Sequence, residues 1–255
     1  MNRRISSGFI ALLVTVGHDA LAANPPKYSK YEQETIDEVV RDKKLKIDIA
    51  PTGKLVEGID IVPLEVIEQR DPVPGFVNIF HATTKKYVIE RQVLQSAGAA
   101  WDQALVDETA RNLRSNAQLS VVICLPVQGS APGRVRLLVI TKDVWSLRLN
   151  EEFLAGGYGL QEYSLEATEE NLAGTQQVIL GRFIYFPQSY TLGAEFFSPR
   201  VEGRWITLGA DANIIINRNS GNTEGTYGTV GASRPLYSNS TAWSGALTTN
   251  WENDV

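Results

Sequence analysis

Two side chains here are of the kinds that most often do chemistry, and neither has company. His81 is the only histidine beyond the first 22 residues, and Cys124 is the single cysteine. A hydrolytic triad needs a nucleophile, a base and an orienting acid in mutual reach. One histidine and one cysteine inside the apolar run Val121-Val122-Ile123-Cys124-Leu125 do not supply it. Metal sites need convergent ligands, and no second imidazole or Cys pair lies near His81. The expectation is no catalytic residue, no metal ligand, no cofactor and no enzyme. His81 is assigned a structural or capping role. Cys124 packs as a small hydrophobe, with free-thiol chemistry as the alternative. It cannot form an internal disulfide.

Function must then reside in surfaces, and the chain's grammar says which. Residues 1–22 read as an export signal: Asn2-Arg3-Arg4, an apolar run from Phe9 to Val16, and the small-x-small site Ala20-Leu21-Ala22. The run is too short to span a membrane, which takes roughly 20 apolar residues. Loss of Arg3, Arg4 and Asp19 leaves 22 basic and 28 acidic residues. No basic stripe remains, which excludes nucleic acid as a partner.

Residues 23–57 read as a linker, polar to Lys46, with room for one short helix around Ile36 to Val40. Residues 58–145 read as a small α+β domain. Gly58 to Gln69 alternates as a strand, and Asp71 to Gly75 is a turn-rich insertion. A helix is predicted from Lys85 to Ala97, capped by Thr83 or Thr84 and ended by Gly98. A second begins after Asp102, with Trp101 and Val106 at the spacing of a hydrophobic staple. Val106, Ala110, Leu113 and Ala117 form its apolar stripe. Strands follow at Leu119–Val127 and Arg134–Lys142, giving the order β-α-α-β-β.

After Trp145 only strands follow, each with an apolar and a polar face; about seven are expected. Ile206, Leu208, Ala210, Ala212, Ile214 and Ile216 share one face, and Thr207, Gly209, Asp211 and Asn213 the other. Tyr190, Leu192, Ala194 and Phe196 oppose Thr191, Gly193 and Glu195. Such a series has no helix to cover it, so its apolar face fits lipid and its polar face a watery lumen. The alternative is a soluble sandwich with one wet face. Thr223 to Ser233 shows no clear apolar face. Trp243 and Trp251 are taken to share a strand face, roughly 20 Å apart in depth, as two aromatic girdles would be. Glu170–Gly174, Ser198–Gly203 and Arg234–Tyr237 are compact turns expected on the side of the α+β domain; Phe186–Ser189 and Asn217–Asn222 should point away. An open edge in lipid leaves backbone groups unpaired, and bacterial barrels use even strand numbers. Residues 146–255 are therefore expected to be the first strands of a longer, truncated barrel.

Three stretches carry a resemblance: FHATTKKYVIERQVLQSAG from Phe80 to Gly98, DETARNLRSNAQLSVV from Asp107 to Val122, and TKDVWSL from Thr141 to Leu147. Together they resemble the POTRA domain of the outer-membrane barrel-assembly insertase superfamily. YSLEATEENLAG from Tyr163 to Gly174 and the SPRVEG turn resemble that superfamily's barrels, and the resemblance runs from about Ile59 to the end. It implies a three-stranded sheet backed by two helices, whose last strand leads into a surface-antigen-type β-barrel in the outer membrane of a Gram-negative cell. The POTRA domain would lie in the periplasm. It would capture unfolded outer-membrane precursors, with accessory assembly subunits as further partners, and the lipid bilayer would surround the barrel. The first barrel strand, Leu147 to Ala155 with Leu147, Leu149 and Phe153, would be the seam that templates incoming strands. A secretion translocator of the same superfamily is the alternative, as is a membrane-anchored enzyme or passive barrel with POTRA as a docking module. Family members carry two or more POTRA domains, whereas one is legible here.

Pro126 adds a physical argument. Proline within a strand belongs at a sheet edge, where no ladder bond is lost. The strand Leu119–Val127 is thus expected to be an outer strand, with Val121, Val122 and Ile123 as candidate peptide-pairing positions. The same edge could instead be merely solvated.

Overall fold

The structure, a computed structural model, describes residues 28–67 and 81–254. The expected signal segment and the Asp71–Gly75 turn lie outside the described residues. The described residues form two sheets. One is three-stranded; the other has seven antiparallel strands in sequence order and is not closed.

The small sheet contains β1 (Leu55–Leu64), β2 (Leu119–Gln128) and β3 (Arg134–Asp143), with β3 central, parallel to β1 and antiparallel to β2. Helices α2 (Lys86–Glu90) and α3 (Gln103–Arg114) lie between β1 and β2 in the chain. Asp102 caps α3, accepting from the amides of Ala104 at 2.9 Å and Leu105 at 3.3 Å. Trp101, Val106 and Leu113 are buried against Val56, Val122, Leu137 and Val139 on one face of the sheet.

The other face is covered by α1 (Lys30–Asp42). This corrects the reading of residues 23–57 as linker. Ser29 and Glu32 form a capping box, with bonds of 2.8 and 3.2 Å. Ile36 and Val39 are buried against Val121, Ile123, Leu125 and Leu138, at ~2 kcal/mol for each side chain. Tyr31 and Val40 pack partly against the same cluster, and the short helix expected around Ile36 to Val40 extends over Lys30–Asp42. The S-x-x-E signature at Ser29 was readable. Coverage on both faces also explains why β2 reads as a near-continuous apolar run rather than an alternation.

The first predicted helix is shorter than its spacing suggested. The α2 helix stops at Glu90, and tertiary bonds replace helical ones beyond it. Thr109 Oγ1 accepts from the Leu94 amide at 3.0 Å, and the buried Gln95 side chain holds Ala100 O and the Asp102 amide. Lys85, not Thr83 or Thr84, occupies the cap position, and no side chain caps it.

The large sheet runs β4 (Leu147–Gly156), β5 (Gly159–Glu169), β6 (Val178–Tyr185), β7 (Ser189–Ser198), β8 (Thr207–Asn217), β9 (Thr223–Arg234) and β10 (Gly245–Asp254). Each hairpin pairs in the register expected of simple neighbours. Among the described residues no helix is long and apolar enough to cross a membrane, which bears on helices alone.

Candidate functional site

The β2 edge resolves the question of which residues face outward. The Asp48 amide donates to Pro126 O at 3.0 Å, and the Gln128 amide donates to Lys46 O at 2.8 Å. Residues 126 and 128 thus turn their backbone groups away from β3. The register is unbroken from Val121 to Gln128. Backbone direction alternates along a strand, so Val122 and Cys124 also face outward while Val121 and Ile123 face β3. Pro126 shares the outward set, which is where a missing N–H costs nothing.

Little of this edge is open. Lys46–Asp48 lies along its C-terminal third, with Ile47 bridging Val127. Arg114 of α3 donates to Val122 O at 2.9 Å. The open stretch is the Val122 amide and the Cys124 backbone. The Cys124 thiol is pushed up to about 12 by burial. It is a packed side chain, not a nucleophile at neutral pH.

The second constellation sits where the small domain meets the large sheet. His81 has no exposed side-chain surface; its Nε2 lies 3.2 Å from Asp143 Oδ2 and its Nδ1 3.1 Å from Ser146 Oγ. Asp143 Oδ2 also accepts from the Thr84 amide at 2.6 Å and from Asn171 Nδ2 at 3.2 Å. Burial pushes the Asp143 carboxyl up, and the bonds from Thr84 and His81 oppose that. Asn171, in the β5–β6 turn, further donates to Ala82 O at 2.9 Å and accepts from the Gln176 amide at 2.8 Å. This network binds the end of β3, the start of α2 and the β5–β6 turn of the large sheet. His81 thus has a structural place, on Asp143 at the end of β3 and Ser146 in the connection to β4.

The other compact turns dock on the same domain. The Asn239 amide donates to Glu108 Oε1 at 2.7 Å, and Asn112 Nδ2 donates to Tyr237 O at 2.7 Å, both from α3. Gly203, at φ +79°, packs against the Arg91 guanidinium. The Phe186–Ser189 and Asn217–Asn222 turns meet each other instead, through Arg218 to Gln188 O at 2.9 Å and to Tyr185 Oη at 2.8 Å. The two sets of turns therefore separate as their sequences suggested.

Register turns the strands into two continuous faces. Leu165, Phe183, Leu192, Ile214 and Thr226 lie in line across the sheet, as do Ala167, Gly181, Ala194, Ala212, Gly228 and Trp251. The opposite face carries Glu166, Arg182, Glu195, Asp211 and Asn213, with Arg182 paired to Glu166 and 4.0 Å from Glu195. The strand without a clear apolar face is explained by this register. β9 offers Gly228, Val230 and Ala232 to the apolar side, and the Trp251 indole lies over Gly228, where a Cβ would collide with it. The bulk comes from β10. Trp243 departs from expectation: it precedes β10 and packs under the Arg234 guanidinium at 4.3 Å, so it does not share a strand face with Trp251.

The candidate seam residues Leu147, Leu149 and Phe153 lie on β4, one of the two free edges of the described sheet, β10 being the other. Leu149 is 68% and Phe153 76% exposed, and every residue of the strand is exposed. The structure keeps this edge apart from Val121, Val122 and Ile123, which belong to the other sheet. Among the described residues no group of His, Cys, Asp and Glu is arranged to hold a metal.

Neither protein-family models nor curated proteins give a match to this chain. Solved structures do. BamA from Haemophilus ducreyi lacking POTRA domains 1–3 aligns with TM-score 0.50 and 16% identity, over 81% of this chain and 41% of that one. This chain has a BamA-like fold. CdiB from Acinetobacter baumannii aligns with TM-score 0.44 and 12% identity, over 80% of this chain and 39% of that one. The chain spans about two fifths of the length of either structure. Coverage of 81% exceeds what Leu147 to Asp254 can supply, so the BamA match takes in part of the small domain as well as the sheet. At such identity the likeness speaks for the fold alone.

The sequence missed Asn171, Asp143 and Gln176 as the residues that join the two sheets. No spacing rule links them to His81, because the contact is made by the return of a turn across the fold. Arg114 as a guard on the edge was equally invisible.

Proposed function

We propose that this chain is an outer-membrane barrel-assembly factor of the insertase superfamily. The small domain acts as a periplasmic POTRA domain, and β4 is the seam that receives incoming strands. One observation carries this reading: a ten-residue β4 edge, exposed throughout, belongs to a sheet whose β5–β6, β7–β8 and β9–β10 turns dock on a β-α-α-β-β domain. An unfolded barrel precursor has unpaired N–H and C=O groups, each costing several kcal/mol in hydrocarbon. An open edge offers main-chain partners without reading much sequence. The precursor's own folding supplies the driving force, and no nucleotide is required.

The β2 edge has a smaller part in this reading. Its open stretch spans Val122 to Cys124, so capture of a longer segment there requires Arg114 to release Val122 O. Apolar and polar faces in continuous register support a sheet with lipid on one side and a lumen on the other. The BamA-like fold is consistent with this.

The test is insertion of an unfolded eight-stranded barrel precursor into liposomes with and without the chain, read by the mobility shift of folded barrels on unheated gels. Liposomes carrying the chain should insert the precursor faster. Leu149→Pro and Asn150→Pro, made singly, place one proline on the outward side of β4, and that one should abolish the gain. Equal rates in loaded and empty liposomes would refute the insertase role. Passage of an unfolded partner into the vesicle interior without insertion would indicate a translocator instead.

A further inference from the structure

Two adjoining cavities lie at the junction of the small domain and the large sheet. The larger, about 390 Å³, is bounded by residues 112–118 and by the β7–β8 and β9–β10 turns. The smaller, about 140 Å³, extends from it past Tyr87 and Arg91. Gln92, Gln176, Pro199 and Arg200 line both. The larger is within the size range of small-ligand sites.

The polar atoms of this space do not balance. Gln176 is 1% exposed; its Oε1 accepts from Gln92 Nε2 at 2.7 Å, while its Nε2 has no acceptor. Arg200 Nη1 is buried and has no acceptor either. The guanidinium lies 3.0 Å over the Trp205 ring, and Trp205 stacks on Tyr237 at 4.1 Å and 7°. On the far wall the Gln118 Oε1 lacks a donor. No carboxylate lines the larger cavity. Glu202 lines the smaller one but is exposed, and among the described residues no carboxylate comes within 4.0 Å of Arg91 or Arg200. Burial without a counter-ion pushes Arg200 down to about 10.

Arg200 is half-buried, but its Nη1 is fully buried, and that N–H group and the buried Gln176 amide nitrogen, both unmatched, are costly unless something completes them. Stacking on Trp205 offsets part of the charge cost but takes up no N–H. We propose that this junction cavity binds an oxyanion, a carboxylate or phosphate, carried on a flat apolar group. Arg200 and Gln176 donate to the oxyanion. The Trp205–Tyr237 stack supplies the apolar wall. Phe197 and Thr207, which also line the cavity, belong to the polar face of the sheet, so the ligand enters from that side and not from the lipid side. The inference does not depend on the insertase reading.

Calorimetric titration of the chain in detergent micelles tests it, with benzoate, phenyl phosphate and the neutral benzamide as probes. Benzoate or phenyl phosphate should bind at a single site, more tightly at low salt, and the stronger of the two names the oxyanion class. Benzamide should not bind. Arg200→Gln should weaken binding by about tenfold or more, the loss of one charge-assisted hydrogen bond. Gln176→Met keeps the volume and removes the donor, and should weaken it by a few-fold; it is the variant to read if Arg200→Gln fails to fold. Near-ultraviolet circular dichroism should match the parent in both. The proposal is overturned if neither anion binds, if benzamide binds as well as benzoate, or if folded Gln176→Met binds with unchanged affinity.

Discussion

Replacing Asn171 with alanine should loosen the junction between the small domain and the β5–β6 turn of the large sheet while leaving both folded. The Asn171 amide nitrogen lies 2.9, 3.0 and 3.2 Å from Ala82 O, Thr84 Oγ1 and Asp143 Oδ2. It has two hydrogens, so two of these bonds are made well. Its oxygen holds the Gln176 amide at 2.8 Å. Three buried bonds at ~1 kcal/mol each give a loss of about 3 kcal/mol, or roughly a hundredfold in the local opening equilibrium. Amide hydrogen exchange reads this directly. The amides of Thr84, Lys85 and Gln176 should exchange about a hundredfold faster in Asn171→Ala. Those of Leu138 and Ile140 in β3, central to the small sheet, should hold their rates. Unchanged exchange at the three junction amides would refute the junction. A uniform increase would show that Asn171 supports the whole fold rather than the contact.

Proline scanning of β2 should separate two neighbours: Val121→Pro removes a ladder bond to β3 and destabilises the domain by about 3 kcal/mol, whereas Val122→Pro, in the outward set with Pro126, keeps the domain folded. Val122 also packs against α3, so Val122→Ala is the control for lost side-chain burial; thermal transitions of the three variants decide the matter. The Cys124 thiol, held up at about 12, should resist alkylation at pH 8 in the folded chain and react fully in denaturant, followed by mass. Reactivity in the folded state should rise only as pH approaches that value, since the thiolate is the reacting form. Gly228→Val should expel the Trp251 indole and shift its emission to the red, whereas the same change at Gly221, with no atom near its Cβ position, should leave that emission alone.

Much of the architecture was legible because local rules and burial agreed. Asp102 announces α3, and Gly98 adopts the expected positive φ, +83°, although the helix it was expected to end stops at Glu90. Leu119–Gln128 and Arg134–Asp143 match their predicted strands to within a residue at each end. Alternation fixed the faces of β7 and β8 before any register was known. Where long-range bonds compete with local ones, the sequence was silent. Thr109, bonded to the Leu94 amide, and Gln95, bonded to Ala100 O and the Asp102 amide, end α2 early, and these contacts are not at the spacings that helical periodicity reads. β9 looked faceless because its apolar side is supplied by Trp251 from the neighbouring strand. The β2 edge was identified as an edge, yet its guards, Arg114 and Lys46–Asp48, come from elements that spacing does not connect to it. The junction of His81, Asp143 and Asn171 is of the same kind: residues far apart in sequence, joined only by topology.

The central claim is that the seven-stranded sheet presents one face to lipid and the other to water. Spin labels placed singly at Leu192, Ile214, Glu195 and Asp211, in the chain reconstituted into bilayers, measure it through collision with oxygen and with a water-soluble nickel chelate. Labels at Leu192 and Ile214 should favour oxygen, and those at Glu195 and Asp211 the nickel chelate. Nickel access at all four positions would contradict the account and leave a soluble sheet with a wet apolar face.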